Sequence, residues 1–418
     1  MSTNTPTTAR LTPEAFRAEL AALDVREDNY ATRVVDLVLA LGRVDGVSDL
    51  HLLPTHAGLE VRWRLDGVLA SLASLPAELA GNVIARLKVL AGLLTYRTDV
   101  PQEGRLHGYA SAAAAAGPIA SDVDMRLATC PTVLGEKALI RVFPLMSRHT
   151  RLDGLGYPAD IAAWLERTVH SSAGVALICG PAGSGKTTTL YAALGEITAS
   201  ATPLRSVVSL EDPVERPIDG VAQTEIDEGG AIDMASGLKY LLRQDPEVIM
   251  VGEIRDRDCA RLAFQAALTG HLVLSSFHAG SAAEAIVRLG DIGVDGYLLR
   301  SGLVGIVCQR LVRRLCECAE TVTDGGDLLG LDVSTARQAT GCGACRGTGY
   351  RGRLPIAELL VADVAMLAER ETAAIRRLAG QRGMADHAAR ARQAVEAGLT
   401  SPAEVRRVFG FDDRQSDG

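Results

Sequence analysis

The chain has 418 residues, enough for two or more hydrophobic cores. Its 43 Lys and Arg against 51 Asp and Glu leave a net charge of −8, and aromatic residues are only 4% of the chain. A nucleic-acid tracker needs a basic groove with aromatic stacking platforms, so that class is excluded. No run reaches the ~18 consecutive apolar residues of a membrane-crossing helix, so any membrane association must come through partners.

In chain order, residues 1–25 are rich in Thr and Ala and show no basic-then-apolar leader pattern, which predicts a mobile tail. Residues 26–145 read as a smaller α+β domain. Within it, residues 31–43 form an amphipathic helix with Val34, Val35, Leu37, Val38 and Leu41 on one face. Ser-Asp-Leu-His-Leu at 48–52 and Glu-Val-Arg-Trp-Arg-Leu-Asp-Gly at 60–67 alternate as two strands joined by a turn. The Ala-rich piece 111–117 lies between two strand patterns and reads as a hairpin loop. Residues 146–160 are a linker. From 161 to 312 strands and helices alternate, so a parallel α/β sheet is expected. A cysteine-bearing segment fills 313–350, and Ala-, Arg- and Glu-rich helices fill 351–418.

The strongest motif is Gly180-Pro181-Ala182-Gly183-Ser184-Gly185-Lys186-Thr187-Thr188, an ungapped G-x-x-x-x-G-K-[ST]. An apolar run at 175–179 leads into it, and residues 187–194 read as the following helix. Glycines let the backbone curl until successive N–H groups point at a polyphosphate, and the helix N-terminus adds its positive end. Lys186 is expected at the β/γ-phosphates and Thr187 on Mg²⁺, with a nucleoside triphosphate as ligand.

Three further segments supply chemistry. The strand-like run 248–251 ends in Gly252-Glu253-Ile254-Arg255-Asp256, and an acidic residue there can orient Mg²⁺ or activate water, a role given to Glu253. The run 207–210 is followed by Glu211, Asp212 and Glu215, three carboxylates in five residues, which are costly together unless they face a cation or water. His271 and His278 flank the run 272–276. Beyond a strand end, a histidine can sense a γ-phosphate or be an ordinary surface residue.

Of eight cysteines, Cys316, Cys318, Cys342 and Cys345 cluster, whereas Cys130, Cys179, Cys259 and Cys308 are scattered in apolar runs. Clustered cysteines in a reducing compartment point to metal, and four thiolates on two loops suit closed, structural tetrahedral zinc.

The ordered set GPAGSGKTTTLY, EDPVE, RQDPEVIMVGEIRD and TGHLVLSSFHAG resembles the secretion ATPases, and more narrowly the type II secretion and type IV pilus assembly ATPases. The resemblance covers roughly residues 30–400. It implies a RecA-like P-loop motor with Walker A, acidic, Walker B and His boxes, preceded by a PAS-like domain. The SDLH strand, the RWRLDG strand, PQEGR at 101–105, and the two segments around Arg126 and Arg141 fit that domain. There it implies that Arg126 and Arg141, and Arg105 beside them, supply charge to the nucleotide's phosphates, and that Glu253, Glu211 and His278 are catalytic. It further implies a homo-hexamer using ATP and Mg²⁺, cytoplasmic, working on an inner-membrane platform protein without contacting nucleic acid. A retraction or DNA-uptake motor, or a non-hydrolysing regulatory paralogue, are the alternatives, and retraction motors generally lack the cysteine cluster. Departures from the pattern are Glu103 for Asp, Lys239 for Arg, Cys316-Glu-Cys318 where the family has C-x-x-C, and no room for a further amino-terminal docking domain.

Overall fold

The computed structural model describes residues 12–106, 123–144, 150–199, 204–226, 232–322, 328 and 331–410. The chain divides into two units, Met1–Ser147 and Arg148–Gly418.

The first unit is one antiparallel sheet covered on one face by helices. Its strands are β1 (Val47–Thr55), β2 (Gly58–Leu65), β3 (Val68–Leu75), β4 (Gln102–Arg105), β5 (Val123–Thr132) and β6 (Gly135–Pro144), in the order β3-β2-β1-β6-β5-β4. Leu50, Leu52, Trp63, Leu127 and Ile140 alternate onto the covered face and bury against Val34 and Val38 of helix Tyr30–Leu41 and Leu87 of helix Ala80–Leu90. Residues 12–25, inside the expected tail, instead belong to this unit's folded part, and residues 1–11 lie outside the described residues. Thr12 caps helix Pro13–Ala21 by accepting from the Ala15 N–H at 3.1 Å, Pro13 takes the first helical position, and Phe16 is fully buried. The expected hairpin loop at 111–117 lies outside the described residues.

The uncovered face carries a row of charge. Arg105 pairs across the ladder with Arg126, Arg126 with Arg141, Arg141 with Asp49, and Asp49 with Arg64. Directly opposite residues share a face, and like charges so placed destabilise a sheet. Two aspartates offset the crowding. Asp124 accepts from Arg105 Nε at 2.8 Å, and Asp49 lies 3.4 Å from both Arg141 Nε and Arg64 Nε. Arg126 lies over the Phe143 ring at 5.2 Å and has no carboxylate partner among the described residues.

The second unit is built on seven strands, β7 (Gly174–Cys179), β8 (Val207–Glu211), β9 (Ala222–Glu225), β10 (Val248–Glu253), β11 (Leu272–Phe277), β12 (Leu303–Leu315) and, after the short pair β13 (Glu320–Val322) and β14 (Ala336–Gln338), β15 (Tyr350–Val361). The order is β15-β12-β7-β11-β10-β8-β9, parallel from β12 to β9 with β15 antiparallel at the edge. A parallel sheet is buried on both faces, which is why β7, β8 and β11 are buried throughout and mostly apolar. Two boundaries expected from sequence move. Leu152 and Tyr157, inside the expected 146–160 linker, pack with the second unit's core, while residues 145–149 lie outside the described residues. The region from 351 opens on a strand rather than a helix, because β15 pairs with β12 from Leu315↔Tyr350 to Gly305↔Val361. The sheet therefore extends well past residue 312, and the cysteine segment is the connection between two paired strands.

Candidate active site

Strand β7 delivers the chain into the glycine-rich loop at the end of the sheet. Gly180, Gly183 and Gly185 have φ of +145°, +73° and +88°, a region side chains avoid. At Gly180 a Cβ would also lie 2.3 Å from the Gln309 carbonyl, so only glycine fits. Pro181, Ala182 and Gly183 are exposed, Ser184 is buried, Gly185, Lys186 and Thr187 are half-buried, and Thr188 is exposed. Lys186 begins helix Lys186–Ala199, so the loop's N–H groups and the helix's positive end converge. The Lys186 ammonium donates to the Gly180 and Pro181 carbonyls at 2.9 and 3.1 Å. Burial holds its pKa below the ordinary lysine value, with Glu253 opposing that shift. The Ser184 hydroxyl is buried without a hydrogen-bond partner. A lysine coiled back on carbonyls and an orphaned hydroxyl fit a loop shaped for a polyphosphate.

The loop has a floor that sequence reading missed. Gln309, on β12 and 1% exposed, donates its amide to the Ser184 carbonyl at 2.7 Å. Its carbonyl oxygen accepts from Thr189 Oγ1 at 3.2 Å and from the Tyr157 hydroxyl, which also bonds Thr189 at 2.8 Å. Nothing local in the sequence marks Gln309, because it reaches the loop only through the pairing of β12 with β7.

Around the loop the carboxylates take distinct places. Glu253, at the end of β10, accepts from Arg255 Nε at 2.9 Å and pairs with His278 Nε2 at 2.8 Å. Arg255, not singled out from sequence, also donates to Asp212 at 3.0 Å and ties the two acidic segments together. The Ser275 and Ser276 hydroxyls of β11 donate to the Val251 and Gly252 carbonyls at 2.7 Å each, fixing the strand end that presents Glu253.

Glu211 is 3% exposed and hydrogen-bonded at both oxygens. It accepts from Tyr191 Oη, from Ser209 Oγ at 2.5 Å and from Gln223 Nε2 at 3.0 Å. Glu215, quoted in the acidic motif but given no role, is the acidic residue whose titration the Thr187 hydroxyl influences. Burial raises its pKa, the Thr187 hydroxyl lowers it, and the negative Glu211 raises it further. Thr187, Glu215 and Glu253 each carry oxygen donors of the kind magnesium prefers. Arg105, Arg126 and Arg141 all belong to the first unit's row.

The four clustered cysteines meet as the spacing predicts. Their sulfurs lie within 4.8 Å of one another, with Cys316–Cys342 and Cys318–Cys345 at 3.9 Å and Cys342–Cys345 at 3.7 Å. Tetrahedral zinc at a Zn–S bond of about 2.3 Å sets sulfurs about 3.8 Å apart, so the donor set fits that ion despite the short Cys316-Glu-Cys318 spacing. Burial alone would raise the Cys345 thiol. The N–H groups of Cys342 and Gly349 and the neighbouring sulfurs outweigh it and bring the pKa down to about 6.

A sequence profile for the family described as Type II/IV secretion system protein matches residues 24–407. The type II secretion system protein HxcR of Pseudomonas aeruginosa is 36% identical over 393 residues, covering 92% of this chain and 79% of that protein. The type IV pilus assembly ATPase PilB of Thermus thermophilus is 38% identical over 371 residues, covering 86% of this chain and 40% of that protein. Among solved structures, the ATPase DotB of Legionella pneumophila superposes with a TM-score of 0.65 at 20% identity, covering 93% of this chain and 97% of that one, a likeness of fold. Since the profile runs through both units and the glycine loop, acidic loop and Glu253–His278 pair all fall inside it, the chain belongs to the Type II/IV secretion system protein family.

Proposed function

We propose that this protein is a hexameric ATPase that hydrolyses ATP and couples the cycle to pseudopilus or pilus assembly, acting on a membrane-embedded platform protein from the cytoplasmic side. The observation that supports this most is the grouping of Lys186, Thr187, Glu215, Glu253 and His278 at one end of the parallel sheet. Among the described residues no helix is long and apolar enough to cross a membrane, which fits a motor recruited through partners. The cysteine cluster favours assembly over retraction.

The loop N–H groups and Lys186 hold the β- and γ-phosphates, and Lys186 leaves its two carbonyl partners to do so. Thr187 would hold magnesium, which neutralises charge on the phosphates, with Glu215 facing the same position. Glu253 accepts the proton of the attacking water, and His278 and Arg255 fix its carboxylate. Arg126 and Arg141, with Arg105 beside them, supply positive charge to the γ-phosphate as negative charge develops. Such head-to-tail use of charge suits a closed ring.

ATP turnover and particle mass of the purified protein, followed against concentration, test this reading. Turnover should rise with a species of six chains, and Lys186→Ala should lose about 10²–10³ in rate. Glu253→Gln should lose about 10²–10⁴ in rate while ATP stays bound. Full turnover in Lys186→Ala would sink the assignment.

Cys316, Cys318, Cys342 and Cys345 are proposed to hold one structural zinc that closes the connection between β12 and β15. Elemental analysis should find one zinc per chain, and Cys342→Ser should lose it and lower the melting temperature. A metal-free protein of unchanged melting temperature would refute this part.

A further inference from the structure

Tyr191 lies four residues after Thr187 on the helix that begins at Lys186, so both side chains share one face of that helix. The Tyr191 ring is 3% exposed, and the Arg216 guanidinium lies over it at 5.1 Å. Its hydroxyl does two things at once. It donates to Glu211 Oε2, and it accepts the backbone N–H of Glu215 at 3.1 Å. Burial, and then the bond to Glu211, push the phenol's pKa up, so it stays protonated and remains the donor.

Glu215 is therefore held by its backbone to the phosphate-binding helix through Tyr191, and Thr187, one turn earlier on that helix, is close enough to lower the pKa of its carboxylate. The rest of the acidic loop is tied elsewhere. Gln223 accepts from the Ile218 N–H at 2.7 Å and donates to the Arg216 carbonyl at 3.1 Å, and Glu225 accepts from the Val214 N–H at 2.9 Å. Glu211, with its Tyr191, Ser209 and Gln223 bonds, is an anchor for this arrangement.

We propose that Tyr191 is a positioning residue, which sets the Glu215 carboxylate against the magnesium-binding Thr187 by tying the acidic loop to the phosphate-binding helix through Glu211 and the Glu215 N–H. This rests on the hydrolase reading only for its effect on turnover; its effect on magnesium-dependent nucleotide binding stands without it. Partners that orient a metal's ligands typically account for about 10–100-fold in metal affinity or activity.

The experiment compares the full-length wild type with Tyr191→Phe, Glu215→Gln and the double variant. A fluorescent ATP analogue reports binding, first with the cation chelated and then across a magnesium titration. Turnover and melting temperature are measured alongside. Phenylalanine keeps the ring and its packing and removes only the hydroxyl. In Tyr191→Phe, magnesium at half-saturation should rise about 10-fold or more, and turnover should fall by a similar factor. Analogue binding without magnesium should stay within about twofold, because the loop N–H groups and Lys186 are untouched. If Tyr191 acts through Glu215, the double variant should cost no more than Glu215→Gln alone.

An unchanged magnesium requirement in Tyr191→Phe would overturn the proposal. So would a fall in magnesium-free binding in step with the melting temperature, since that is the mark of a merely structural residue. Additive costs in the double variant would also overturn it. A wild type with no turnover would defeat the hydrolase reading, and the magnesium titration would still decide Tyr191.

Discussion

ATP turnover of Arg126→Ala should fall about 10³-fold if this arginine is supplied to the γ-phosphate as proposed, the low end of what such an arginine contributes. The first unit's sheet makes a finer prediction than the resemblance alone. Arg105 and Arg141 are each paired with an aspartate and must give it up before meeting a phosphate. Arg126 stands between them without such a partner among the described residues and has no bond to exchange. Its removal should therefore cost more than Arg141→Ala, and Arg141→Ala more than Arg105→Ala. Initial rates at saturating ATP for the three variants check the order. Equal losses would mean that the aspartate pairs do not restrain their arginines. Stability should move the other way. Arg126→Ala removes a like charge facing two others, so its melting temperature should match or exceed that of the wild type.

Glu404→Ala should destabilise the second unit by about 3–5 kcal/mol, the range for breaking a buried ion pair from one side. Glu404 is fully buried near the end of the chain, on helix Pro402–Phe409. One of its oxygens accepts from Arg313 Nε and Nη2 and from Arg407 Nε at 2.8–2.9 Å. The other accepts from the Arg313 N–H at 2.9 Å and Arg407 Nη2 at 2.6 Å. Arg313 is stacked on the Tyr350 ring at 3.9 Å, so removing the carboxylate strands a guanidinium that has little access to water.

The pH dependence follows from the same contacts. Burial alone would raise the Glu404 pKa, but the bonds from Arg407 and Arg313 outweigh it and hold the carboxyl below its ordinary value of 4.5. A depressed folded-state pKa means the stabilisation is complete above 4.5 and is lost as pH falls through the folded value. Urea midpoints for wild type and Glu404→Gln should differ by a constant amount from pH 8 down to about 5 and converge below that. A gap that stays constant into acid would show that the charge on Glu404 contributes nothing.

How much of this was legible in the sequence depends on how far apart the participating residues lie. The shape of the glycine loop was legible because one contiguous stretch, with its positive-φ glycines and the helix that follows, forms it. Glu253 and His278 were legible because each follows an apolar strand run. The roles of Glu211 and Glu215 were not. Glu211 ends β8 and Glu215 follows four residues later, and only the position of Tyr191 on another element decides which carboxylate is consumed internally and which residue is held by its backbone beside Thr187. Gln309 was invisible for a similar reason, sitting 125 residues beyond the Ser184 carbonyl it supports. Strand β15 was missed because its Ala- and Arg-rich surroundings suggest helix. Pro355 in its middle argues against that, and an edge strand tolerates it. The amino-terminal helix was missed although Thr12-Pro13 is a start signal, since a Thr- and Ala-rich composition was read as a tail.

Strand β12 runs from the floor of the glycine loop at Gln309 to Leu315, one residue short of the first cysteine of the cluster, with one register shift against β15 between Arg313 and Leu315. Seven residue steps at about 3.3 Å each put roughly 23 Å of extended chain between Gln309 and Cys316. An extended strand cannot shorten without giving up ladder bonds, and β15 and the Glu404 clamp hold this one along that length. The strand is thus a spacer of set length between the floor of the loop and the cysteine cluster, so a displacement of one end along the strand is imposed on the other.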